Sequence, residues 1–258
     1  MIALGLLTAS AGCHAAWNLL LKRGGLGGPA FVWLCGLLTL PVSLVLLARG
    51  PGPSAWAGLV SMALHTTYAV TLQKAYSRSD FTAVYPVSRG AAPVLVTLAT
   101  LPRPQVLAGA ALTLTGVLML DRLHSTRGVG LGLLVAACTA AYTLWDGFAV
   151  THLHVDLLTY LAVGNVAQVV LLAPILRNRR EVLTHWRQAL PIAVLMPASY
   201  GLVLVALSFA SVSTVAVGRT LNVALGALIG AFVLRERPRI AGLVVVVAGV
   251  LLVSRTDT

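Results

Sequence analysis

From Val244 to Val253 the chain reads VVVVAGVLLV, without one charge. Such a run must be shielded from water, and it is not alone. Loops marked by Gly, Pro and charge cut the sequence into about ten apolar segments. They fall near 2–21, 29–48, 55–73, 81–101, a fifth ending near Leu120, 128–149, 157–176, 189–209, 212–234 and 239–254. A helix needs roughly 20 apolar residues to cross a hydrocarbon core of about 30 Å. Of the 258 residues, 58% are hydrophobic and 10% charged, against about 25% charged in soluble domains. The expectation is an all-α membrane protein of about ten transmembrane helices. Runs this long are not the strands of a closed barrel, the other structure that satisfies its backbone in lipid.

The net charge of +11 does not indicate nucleic acid, because the basic residues form no patch with interleaved aromatics. They sit at segment ends, as in the cytoplasmic loops of membrane proteins. Cys13, Cys35 and Cys138 lie inside apolar runs and read as buried small hydrophobes. The first segment lacks a preceding basic residue and is followed by Lys22 and Arg23, the reverse of a secretory signal, so it is expected to be a permanent helix. No P-loop, metal spacing or cofactor motif appears, and no cofactor is expected.

Sliding the chain by about 132 residues sets Tyr68 on Tyr200 and Thr82 on Thr214. One further residue of shift sets Gly109 on Gly242, Gly116 on Gly249 and Arg122 on Arg255. The expectation is two five-helix copies, residues 1–122 and 123–258. Five is odd, so the second copy enters the membrane from the opposite face. That is an inverted repeat, with a substrate site near the midplane between copies; chance similarity among apolar helices is the alternative.

Four motifs carry a family resemblance. They are His14-Ala15-Ala16-Trp17-Asn18 followed by Lys22, Tyr85-Pro86-Val87-Ser88-Arg89-Gly90, Ala141-Tyr142-Thr143-Leu144-Trp145-Asp146-Gly147, and Arg235-Glu236-Arg237. In that order and spacing the chain resembles the drug/metabolite transporter superfamily, and within it the EamA-type ten-helix carriers. The resemblance implies export or import of amino acids, drugs or other metabolites, driven by exchange or ion coupling. Two departures stand out: Leu101-Pro102-Arg103 replaces the Gly-Glu that usually closes helix 4, and Thr220 follows the helix-9 arginine where Glu is frequent.

Polar residues inside spans tend to face a cavity or a partner, and here they recur at helical spacing. The sets are His14, Trp17 and Asn18; His65 and Tyr68; Tyr85, Ser88 and Arg89; Thr139, Tyr142, Thr143 and Asp146; Asn165 and Gln168; Arg219 and Asn222. Candidate substrate-binding residues are Arg89, Arg219, Trp17, Asn18, His14, Tyr68, Tyr85, Tyr142 and Asn222, with Asp146 the candidate coupling residue. Each set also has a plainer reading. Trp17 and Trp145 suit an interface belt, His14 and His65 suit interhelical hydrogen bonds, and Asn165 and Gln168 suit interhelical glue. Arg89 and Arg219 lie at similar depth in equivalent helices, and a central Arg costs on the order of 3 kcal/mol. An anionic substrate offsets that cost; the alternative is that Arg89 pairs with Asp146 while Arg219 snorkels.

The expected function is a secondary transporter of a carboxylate- or phosphonate-bearing metabolite, such as an amino acid, working by alternating access. Competing readings are a membrane-embedded enzyme, a channel, or an exporter of cationic or aromatic drugs. The partners expected are a small solute and lipid, not nucleic acid, with the chain a monomer or homodimer in the plasma or inner membrane. Thirteen Lys and Arg flank one face of a ten-helix topology and only Arg49, Arg103 and Arg255 the other. Positive-inside counting therefore places both termini outside, although members of the family usually keep them in the cytoplasm.

Overall fold

The computed structural model describes residues 2–24, 28–48, 50, 52, 54–79, 81–100, 103–120, 126–176, 179–234 and 240–255. Arg49, Leu101, Pro102, Arg122, Arg177, Asn178, Arg235, Glu236, Arg237 and Arg239 lie outside these described residues.

The described residues are helical almost throughout, with no strand among them. The helices are α1 (Ile2–Gly24), α2 (Gly28–Leu47), α3 (Ser54–Arg78), α4 (Phe81–Thr100), α5 (Pro104–Leu120) and α6 (Thr126–Thr151). They continue with α7 (Leu157–Leu172), α8 (Arg179–Leu183), α9 (Trp186–Ala206), α10 (Val212–Gly218), α11 (Leu221–Leu234) and α12 (Ile240–Ser254). Four stretches are long and apolar enough to cross a membrane: Ile2–Leu21, Gly28–Leu47, Arg127–Thr151 and Trp186–Ala206. Shorter apolar helices occupy Pro104–Leu120, Leu157–Leu172, Val212–Leu228 and Ile240–Ser254.

The exterior is apolar, unlike that of a water-soluble protein, and polar groups are buried beside an apolar core. The exterior carries Val42, Val45, Val170, Val194 and Val244, each about three-fifths exposed. The interior holds Ser10, Ser61, Ser88, Thr97, Thr143, Asp146, Ser199 and Thr220. Lipid can solvate the first set, and helical partners must satisfy the second. Ser10 Oγ donates to the Ser199 carbonyl at 2.7 Å and Ser199 Oγ to the Ser10 carbonyl at 3.0 Å, tying α1 to α9. Asn165 Nδ2 donates to Ser43 Oγ (2.9 Å) and to the Gly36 carbonyl (3.2 Å), tying α7 to α2.

Close packing explains the paired glycines of α5 and α12. Gly109 meets Gly249 and Gly116 meets Gly242, so α5 and α12 run antiparallel with their backbones in contact. A Cβ on Gly116 would lie 2.6 Å from Val246 N, and one on Gly249 2.7 Å from the Gly109 carbonyl oxygen. Small residues permit this approach where no hydrophobic effect drives helices together. Elsewhere α1 packs on α9, α2 on α7, α3 on α6 and α7, and α4 on α5, α6 and α10.

Three local features differ from the sequence expectation. The segment 212–234 is not continuous: it breaks at Arg219-Thr220 into α10 and α11. There Thr220 N bonds the Val217 carbonyl and Asn222 N the Arg219 carbonyl, an i to i−3 pattern, while Thr220 Oγ1 donates to the Val217 carbonyl at 2.6 Å. A hydroxyl bonding its own helix backbone competes with the regular ladder. Helix α3 extends past 73 to Arg78, because Ala75 is fully buried against Val84 and Val135. The connection between segments 157–176 and 189–209 contains the five-residue helix α8.

Candidate functional site

Two helices and one helix break supply the centre of the site. Arg89 lies in α4, between Pro86 and Pro93. Arg219 sits at the α10–α11 break. Tyr142 and Thr143 lie in α6, which packs along α4. Between them is a cavity of about 70 Å³. It is lined by both arginines together with His14, Tyr85, Tyr142 and Asn222, and no Asp or Glu is among its lining residues. Ser88, Thr139, Thr143 and Thr220 complete its polar wall, and Ala92, Pro93, Val96, Ala216 and Val223 its apolar one.

The two guanidinium groups are held differently. Arg219 Nη2 donates to Tyr142 Oη at 3.2 Å and Nη1 to Thr143 Oγ1 at 3.3 Å. Its Cζ lies 5.4 Å from the centroid of the Tyr142 ring. Arg89 Cζ lies 5.7 Å from the centroid of the Tyr85 ring. No described acceptor bonds Arg89, and neither arginine makes an ion pair with a described carboxylate. A guanidinium has five N–H donors, so most of these donors lack a protein acceptor among the described residues.

Six of the candidate substrate residues therefore meet at one cavity: Arg89, Arg219, His14, Tyr85, Tyr142 and Asn222. Tyr68 stands behind them, its ring edge-on to Tyr142 at 5.4 Å. Trp17 and Asn18 are not in the lining. Trp17 packs edge-on to His14 at 4.9 Å and against the α2–α9 core around Leu34 and Ile192. Its indole Nε1 is buried without a partner among the described residues. Asn18 is exposed and donates to the His14 carbonyl one turn back. Trp145 is committed structurally, Nε1 donating to the Ala57 carbonyl at 3.0 Å.

Asp146 is 2% exposed and lies apart from the cavity. Its partner is not an arginine. Ser61 Oγ and Tyr160 Oη each donate to Oδ1 at 2.7 Å, and Tyr200 Oη donates to Oδ2 at 2.6 Å. His65 Nε2 is 4.0 Å from Oδ2. Of these groups the sequence marks His65 by helical spacing and Tyr200 only as the repeat partner of Tyr68; it does not mark Ser61 or Tyr160. The signal that could have found Ser61 is its place one turn before His65 on the same face. Nothing local marked Tyr160, because α7 is apolar around it.

One solved crystal structure, described only as that of a protein, superposes on this chain with a TM-score of 0.73 at 16% identity. The match covers 99% of this chain and 98% of that one, and it extends the likeness of fold to the whole molecule. No curated protein matches the sequence. The sequence profile of the EamA-like transporter family matches residues 126–255. A polar cavity inside an all-helical bundle with an apolar exterior is what such a carrier requires. The chain is a multi-pass membrane protein of the drug/metabolite transporter type and belongs to the EamA-like transporter family.

Proposed function

We propose that this carrier moves a small metabolite bearing a carboxylate, phosphate or phosphonate group, and that the anionic head docks between Arg89 and Arg219. The observation that carries this reading is two guanidinium groups on one partly open cavity whose lining, among the described residues, contains no acid. Arginine suits such a head because its planar donor fork matches oxyanion geometry. The first turn of α11 contributes Asn222 and Val223 to the same wall, which brings the positive end of a helix dipole near the anion. A cationic drug would instead meet two like charges. The cavity is far below the ~300–1,000 Å³ of a drug-sized pocket, so in this conformation it suits a compact head closely surrounded by protein.

Transport follows an alternating-access scheme between two inverted copies, residues 1–122 and 123–258. The packing supports this division. Exchanging the copies maps α1 on α9 onto α6 on α3, and maps the pairs α2 with α7, α4 with α10 and α5 with α12 onto themselves. The Gly109–Gly249 contact becomes Gly242–Gly116 under the same exchange.

The test is uptake into proteoliposomes of a panel of labelled amino acids, carboxylates and phosphonates. The expected outcome is saturable, counter-exchanging flux of an anionic solute, reduced at least tenfold in Arg89→Gln and Arg219→Gln. The margin corresponds to losing one charge-assisted hydrogen bond of about 1.5–3 kcal/mol. Undiminished transport of a verified substrate by both variants overturns the anion reading, and non-saturating flux without exchange overturns the carrier.

A further inference from the structure

Asp146 and its neighbours form a second polar centre that the anion cavity does not use. His65 Nδ1 lies 2.9 Å from the Ser61 backbone carbonyl. A carbonyl can only accept, so Nδ1 carries the proton and Nε2 is the nitrogen whose protonation is open. That nitrogen faces Asp146 Oδ2 at 4.0 Å. The imidazole stacks on the Tyr142 ring, centroids 4.1 Å apart at 28°. It also meets the Tyr200 ring edge-on at 5.2 Å. Tyr142 in turn hydrogen-bonds Arg219. One ring thus joins the two centres.

We propose that the His65–Asp146 pair is a proton-binding site coupled to the anion cavity through Tyr142 and Arg219, so that the carrier takes up a proton together with an oxyanion. The proposal rests on the anion reading above. The proton comes from water and binds His65 Nε2, giving an imidazolium opposite the Asp146 carboxylate. The titratable and charged groups facing the pair are Tyr142 from α6, Tyr160 from α7, Tyr200 from α9 and Arg219 from the α10–α11 break. Arg219 is the sole cation among these facing groups, and it repels an imidazolium across the Tyr142 ring. An anion bound to Arg219 offsets that repulsion. Binding of proton and anion is therefore mutually favourable, and linkage makes the effect reciprocal.

Sulfate serves as the probe, since it is an oxyanion that does not itself titrate near neutrality. Its affinity for the purified full chain in detergent is measured by calorimetry between about pH 5.5 and 8. Wild type is expected to weaken with rising pH, approaching tenfold per pH unit if one proton binds with each anion. His65→Gln, whose side chain cannot titrate, is expected to give a flat profile. A pH-independent sulfate affinity in wild type, or an unchanged slope in His65→Gln, overturns the proton site while leaving the anion cavity intact. Sulfate binding unaffected by Arg89→Gln and Arg219→Gln overturns the anion reading instead. A spectroscopic measurement on the wild type needs no variant. The ¹⁵N signals of His65 are expected to show a protonated Nδ1 throughout, and an Nε2 that takes up its proton at higher pH with sulfate bound than without it; an Nε2 whose protonation across that range is the same with and without sulfate overturns the proposal.

Discussion

The α5–α12 crossing lends itself to a quantitative test, because its closest contacts are backbone to backbone. Gly116→Ala would place a Cβ 2.6 Å from Val246 N and 2.8 Å from the Gly242 carbonyl oxygen. Neither atom can rotate away as a side chain does. Ordinary carbon contacts lie near 3.5–4.0 Å, so the helices must part locally by roughly 1 Å. Overpacking of this kind costs about 1–3 kcal/mol, partly offset by the helix propensity gained on replacing Gly with Ala, about 0.8–1 kcal/mol. The net loss is then ~0–2 kcal/mol, up to about 8 °C in Tm for a chain of this size. Gly109, Gly242 and Gly249 meet backbone oxygen at 2.7–2.8 Å and should behave alike. Gly109→Ala with Gly249→Ala should cost less than the sum, since one separation of the helices relieves both. Gly12 and Gly226 have nothing within 4 Å of their virtual Cβ. Alanine there should leave Tm unchanged or raise it. Tryptophan-fluorescence melting in detergent ranks all the variants at one heating rate. If Gly116→Ala and Gly249→Ala melt with Gly12→Ala, the tight crossing does not exist and the packing argument fails.

Ser10→Ala removes the bond from Ser10 Oγ to the Ser199 carbonyl and leaves Ser199 Oγ on the Ser10 carbonyl; in membranes one such bond is worth about 0.6–2 kcal/mol, so a Tm loss of a few degrees is expected in the same assay. Asp156 caps α7, its carboxylate accepting from Thr159 N at 2.8 Å; hydrogen bonding from the Thr159 side chain first, and from this N–H second, holds its pKa below the ordinary carboxylate value. That stabilisation is complete above the unfolded-state pKa of about 3.9 and is lost as pH falls through the lower folded value. Asp156→Ala should therefore lower Tm at pH 7 by the equivalent of ~1 kcal/mol and show a shrinking deficit in acid; a deficit independent of pH refutes the charge-based cap. Charge bias predicts that the α6–α7 turn lies outside the cell. An impermeant thiol reagent should label His152→Cys on intact cells lacking the native cysteines, and labelling only after lysis reverses the orientation.

Much of this architecture was legible before any coordinates, for a specific physical reason. Lipid removes water as a hydrogen-bond partner, so runs like Val244–Val253 have few options besides a helix, and Gly, Pro and charge must mark their ends. The same constraint makes Arg89, Arg219, His14 and Tyr142 conspicuous, because polar groups are expensive there and helical spacing sorts them onto faces. Tertiary structure decided which faces meet. Trp17 and Asn18 share a helical face with His14, yet α1 packs on α9 so that only His14 reaches the cavity. Asp146 lies one turn from Tyr142 on α6, yet it turns to Ser61, Tyr160 and Tyr200 rather than to an arginine. Those three hydroxyls come from α3, α7 and α9, segments up to 85 residues away in sequence. The break at Arg219-Thr220, where the Thr220 hydroxyl bonds the Val217 carbonyl, is likewise a local departure that apolar patterning does not record. Sequence sets the period and the polarity of each helix; the meeting of distant faces follows from packing, which no single segment encodes.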